Sequence, residues 1–131
     1  MPTSNLQGTS PKARRVADAS GTVKGCSVVQ GANSREVVRP SAANVRIEGV
    51  ALYVSAQNEH VAVQDMGEAV CIAASAIAIG AEVNVADTTG RFKAVSEGAG
   101  VVAQVCGRAK TAASASGDQF TLEINRYART I

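Results

Sequence analysis

Aromatic side chains are scarce in this chain. Its 131 residues include two Phe, two Tyr and no Trp. The body therefore offers no run of aromatics interleaved with basic residues, the platform on which single-stranded nucleic acid stacks. Apolar content comes instead from Ala and Val, which bury little area each, at roughly 25 cal/mol per Å². A core of this kind is thin, and association between copies is the expected source of further stability.

Catalytic side chains are equally sparse. Histidine occurs once, as His60, and no Ser or Cys beside it reads as a nucleophile by local motif. The three cysteines, Cys26, Cys71 and Cys106, are odd in number and far apart, unlike a secreted disulfide framework. Each lies in an apolar run and is expected to be buried as a small hydrophobe. With His60 they are ligand types that zinc accepts, but no pair has zinc-knuckle spacing, so no metal site is expected. The carboxylate pairs Asp65/Glu68 and Glu82/Asp87 border turns, where acidic residues are normally just solvated. Ser96–Gly100 carries two glycines but lacks the Lys and the strand–helix context of a phosphate loop. The expectation is a non-enzymatic protein with no cofactor.

Long apolar runs are missing too. The longest, Ala69–Ala81, is broken by Ser75 and Gly80 and falls short of the ~20 residues that span a membrane. The opening MPTSNLQGTSPKARR is polar and unlike a signal peptide. A soluble protein with no membrane partner is expected.

What is present is an uneven charge and a β rhythm. Residues 1–46 hold seven basic and two acidic groups, a net +5, while residues 47–131 hold six basic and nine acidic, a net −3. The basic front calls for an acidic partner, either a protein surface or a phosphate backbone. Residues 1–22 lack periodicity and are rich in Ser, Thr, Gly, Pro and basic residues. They read as a flexible basic N-terminal arm, with residues 23–131 as a single β-rich domain. From Val23 onward, short Val/Ile/Ala runs alternate with turn residues at intervals near ten, the signal for a β-sandwich or barrel. In Gln119–Asn125, Phe120, Leu122 and Ile124 share one face. His60–Gln64 alternates through Val61 and Val63, and Glu82–Ala86 through Val83 and Val85. Leu52–Val54 reads as a strand before the Gln57–Glu59 turn. Asp87–Gly90 reads as a hairpin turn in which Gly90 takes a positive φ. Parity slips at Gly49, between Val45 and Ile47 on one side and Val50, Leu52 and Val54 on the other. Either a bulge at Gly49 or a strand buried on both faces accounts for this. Val70 and Ile72 suit a strand, followed by a turn-like segment ending at Gly80.

Several segments then carry a family likeness in order: Arg46–Ala51, Ala76–Val83, Asp87–Ala94, Gly100–Ala109 and Ser116–Ile124. Together they trace an I-x-x-G-x-x-V start, a D-x-x-G-x-x-x-x-A hairpin, a G-x-x-x-G-x-A return strand and a G-D-x-x-x-V/L final strand. The stretch from Arg46 to Asn125 resembles the small capsid decoration, or cement, proteins of tailed bacteriophages. That resemblance implies an all-β fold, a small β-barrel, β-tulip or sandwich with an extended N-terminal arm. It also implies a structural protein, made in the host cytoplasm, on the outer surface of the virion. There it stabilises contacts between subunits of the major capsid protein, as a homotrimer. An arm of this kind adds a strand to the shell, and here Pro11, Lys12, Arg14 and Arg15 are the candidate capsid-binding residues. The rival reading is a nucleic-acid-binding or scaffolding accessory protein acting through the same basic arm.

Overall fold

The structure, a computed structural model, describes residues 11–131. Branched Val and Ile at alternating positions favour extended backbone, and the described residues form ten strands and no helix. The first five are β1 (Lys12–Val16), β2 (Ser27–Gln30), β3 (Glu36–Val38), β4 (Gly49–Ala51) and β5 (His60–Gln64). They close into a barrel in the order β1-β3-β2-β4-β5. Only the β1–β3 contact is parallel. The other five are β6 (Gly67–Ile72), β7 (Glu82–Val85), β8 (Phe92–Ala94), β9 (Val102–Ala109) and β10 (Gln119–Thr130). They form a sheet ordered β6-β10-β9-β7-β8, and a parallel bridge between Ala73 and Phe92 draws its two outer strands together. The architecture is all-β, with a barrel, as the sequence implies.

Each half has its own core. Val16, Val28, Val37, Ala51, Val61 and Val63 fill the barrel. The second core is larger and contains the two phenylalanines. Phe92 and Phe120 meet edge to face with ring centres 6.0 Å apart, among Val83, Val85, Leu122 and Ile124. Ile47 and Val50, which precede and begin the barrel strand β4, belong to this second core. Backbone bonds join the halves further. Ser27 N donates to Gly90 O at 2.8 Å, and Asn44 N to Val85 O at 2.9 Å. The Asn44 side chain donates to Val102 O and accepts from Gln104 N. Arg126 Nη1 donates to the carbonyls of Ile47 and Glu48, each at 3.1 Å.

Several local expectations are decided here. β4 is buried on both faces, and its register with β2 runs through Gly49 without a shift. A Cβ at Gly49 would lie 2.4 Å from Gln64 O, so the glycine serves close strand approach. Gly90 closes the β7–β8 turn with φ +87°. The Leu52–Val54 strand does not form. β4 ends at Ala51, and Tyr53 and Val54 are exposed, because Thr22 Oγ1 binds Tyr53 O and Ser55 N and holds that chain in a bend. β6 forms, but Ala69 and Cys71 face its core while Val70 points outward. The final strand runs five residues past Asn125, through an irregularity between Ile124 and Tyr127.

The basic front also differs from a 22-residue arm. Residues 1–10 lie outside the described residues. Residues 12–16 are not arm but β1, built into the barrel between β3 and β5. Its cations meet carboxylates distant in sequence. Lys12 Nζ lies 2.5 Å from Asp65, Arg14 Nε lies 3.3 Å from Glu48, and Arg15 pairs with Glu36. Val16 anchors the strand in the core with no exposed surface.

Candidate functional site

A concavity lies over β1, beside its arginines. It is a groove of about 490 Å³ lined by Ala13, Arg14, Arg15, Asn33, Arg35, Glu36 and His60. Three elements build it. β1 and β5 pair in register, placing Arg15 opposite His60 and Arg14 opposite Val61. The β2–β3 turn supplies Asn33 and Arg35, and Asn33 Oδ1 fixes that turn by accepting from Arg35 N at 2.9 Å.

The charges of the groove are unequally satisfied. Arg15 is held by Glu36 and by Asn58 Oδ1, the latter at 2.8 Å. Arg14 reaches Glu48 and also donates from Nη1 to Ala13 O at 2.9 Å. Arg35 is exposed and makes no ion pair with any other described residue. Arg14 and Arg15 each have a carboxylate partner, so Arg35 is the guanidinium of the groove left without one among the described residues. An exposed guanidinium without a carboxylate partner has free donors for charge-assisted hydrogen bonds to an anion.

Of the four residues proposed as an arm contact, Arg14 and Arg15 come together in the groove. Lys12 is turned to the barrel mouth, against the buried carboxylate of Asp65. Pro11 is exposed, immediately ahead of β1. Sequence reasoning missed Asn33, Arg35 and Glu36, and read His60 as an ordinary strand residue. The signal was the Asn33-Ser34-Arg35 turn chemistry together with the odd count of cations over carboxylates. Only the parallel β1–β3 pairing brings that turn beside residues 13–15.

Other clusters of reactive groups are structural in their contacts. Glu82 accepts from Arg129 Nη2 at 2.6 Å and from Tyr127 Oη. The arginine and the tyrosine hold its carboxyl below the ordinary carboxylate value. The two carboxylates once paired with acidic neighbours therefore serve separate partners, Glu82 with Arg129 and Asp65 with Lys12. Cys26, Cys71 and Cys106 are free and buried. Burial raises all three thiols, and Cys106 is pushed up to about 12. Among the described residues no group of three His, Cys, Asp or Glu side chains is placed to hold a metal ion.

By sequence, the chain matches no protein family and no curated protein. By structure, it is similar to the head fiber gp8.5 N base of bacteriophage phi29. The two superpose with a TM-score of 0.66 over 88% of this chain and 92% of that one, at 18% sequence identity. At that identity the likeness is one of fold, and it extends across both the barrel and the second sheet.

Proposed function

We propose that this chain is a structural protein associated with a phage head, attached to the outer surface of the assembled shell. The observation that carries this reading is the shared two-part β fold, which covers nearly all of this chain and of the phi29 head fiber base. The surface chemistry agrees with it. The groove over β1 offers the positive charge of Arg35 to an acidic partner. The barrel core is built of Val and Ala alone, side chains small enough for strands to pack closely.

In this role the protein bridges neighbouring subunits of the major capsid protein and works as a homotrimer. Val101, Val102 and Ile79 are large apolar side chains left exposed outside the barrel, and they supply surface for contact between copies. The nucleic-acid reading gains less support. Lys12, Arg14 and Arg15, the cations it relied on, are each already paired with a carboxylate.

Co-sedimentation tests the reading. The protein pellets with purified heads of the phage that carries its gene and stays in solution without them. Failure to pellet with heads removes the proposal.

A further inference from the structure

We propose that β1 is a releasable strap, which leaves the barrel as a unit by exchanging ion pairs while the rest of the fold stays closed. This inference goes beyond the head reading and does not rest on it.

Apolar packing holds β1 lightly. Of its five side chains, Val16 alone belongs to the barrel core. Its side-chain hold is otherwise ionic and of one sense. The strand carries three cations and no carboxylate, and three of the six ion pairs among the described residues start from it. The side chains of Lys12 and Arg15 stay 48% and 40% exposed within these pairs. Ion pairs with a wet member are weak and are screened by salt. One change of ionic strength therefore loosens all three together.

A departing cation leaves its carboxylate behind, and a buried charge without a partner is costly. Here each carboxylate has a second cation at hand. Arg126 Nη2 lies 4.0 Å from Asp65. Its Nη1 rests on the carbonyls of Ile47 and Glu48, bonds that do not involve β1. Arg35 precedes Glu36 and lines the same groove. Arg46 shares a smaller groove with Glu48 and Arg126. Arg35 and Arg46 are exposed and make no ion pair with another described residue. The network thus has two arrangements, one closed by β1 and one closed by Arg126, Arg46 and Arg35.

The strap also has a fixed pivot. Just after β1, Gly21 N donates to Asp18 O and Thr22 N donates to Ser55 O. Arg39 clamps the same turn, donating from its backbone N to Asp18 Oδ2 and from its side chain to the carbonyls of Ser20 and Gly21. None of these bonds uses residues 11–16, so opening ends at this turn.

Native-state hydrogen exchange of the full chain, read by NMR, tests the proposal. The amides of Arg15 and Val16, bonded to Arg35 O and Glu59 O, report on β1. Those of Ala51 and Ala109, bonded to Cys26 O and Ala81 O, report on the rest of the barrel and on the second sheet. At low salt the β1 amides are expected to be about tenfold less protected than the two references, the mark of local rather than global opening. Raising the salt to about 1 M, where the screening length falls to ~3 Å, lowers their protection about tenfold further and leaves Ala51 and Ala109 close to their low-salt values. The double variant Arg35→Ala/Arg46→Ala removes two of the replacement cations. In it the protection of Arg15 and Val16 rises while that of the references holds. β1 amides as protected as Ala51, protection of β1 indifferent to salt, or a double variant that exchanges like wild type each overturn the proposal. Exchange and co-sedimentation with heads are separate measurements, so either reading can fail while the other stands.

Discussion

Val50 and Ala51 are neighbours in β4 and bury their side chains in different cores. Val50 packs with the phenylalanine-containing core of the second sheet, and Ala51 packs inside the barrel. Both are completely buried. One short strand is thus a shared wall, and the two halves are expected to unfold together.

Val50→Ala tests that coupling. The lost methyl groups and the cavity left behind should cost about 1–3 kcal/mol. Urea unfolding followed separately through barrel and second-sheet amides should show one transition, shifted as a unit. Two separated midpoints would show that the halves fold independently.

Gly49→Ala should be worse than its size suggests. The added Cβ would meet Gln64 O at 2.4 Å and Val63 Cγ1 at 2.7 Å, both on the paired strand. Forcing the strands apart should cost about 2–4 kcal/mol, read as a lower urea midpoint. An unchanged midpoint would mean that β4 and β5 separate more easily than their register implies.

The sequence made much of this fold readable where period-two patterns were long. Gln119–Asn125 alternates cleanly because it has one face in a core and one in water, and His60–Gln64 is marked by Val61 and Val63 in the barrel core, although Gln64 is buried as well. β4 was ambiguous for a physical reason: a strand facing two cores has no wet face, so parity carries no signal. β6 forms where Val70 and Ile72 suit a strand, and the small Ala69 and Cys71 rather than the larger Val70 fit its tight interior. The strand Lys12–Val16 looked like arm because its charge partners, Glu36, Glu48 and Asp65, sit 21 to 53 positions away. Composition revealed the excess of cations. Their convergence with Arg35 needed the parallel β1–β3 pairing, which no local pattern encodes.

Acid should weaken the fold in a predictable direction. Arg129 and Tyr127 hold the Glu82 carboxyl below its ordinary value of 4.5. Ser114, through side chain and backbone, does the same for Asp118, whose ordinary value is 3.8. A carboxylate with a depressed folded-state pKa contributes stability that is present above its unfolded value and is lost as pH falls through the folded one. The urea midpoint should therefore drop as pH falls below about 4.5, and the drop should be smaller in Glu82→Gln. An equal drop in wild type and variant would contradict this role for Glu82.

The cysteines should be silent in the native state. Burial keeps the Cys71 thiol protonated and pushes Cys106 up to about 12, and the thiolate is the reactive form. At pH 8 a thiol reagent should label Cys71 and Cys106 only after denaturant is added, at the rate of unfolding. Fast labelling of the folded protein would contradict the packing described here.

The central claim is attachment to the outside of a phage head, and electron cryo-microscopy of heads prepared with and without this protein tests it most directly. The account predicts added density at repeated positions on the outer shell, into which the barrel and second sheet fit with the β1 groove turned toward the capsid. Heads that look the same with and without the protein, or density only inside the shell, would contradict it.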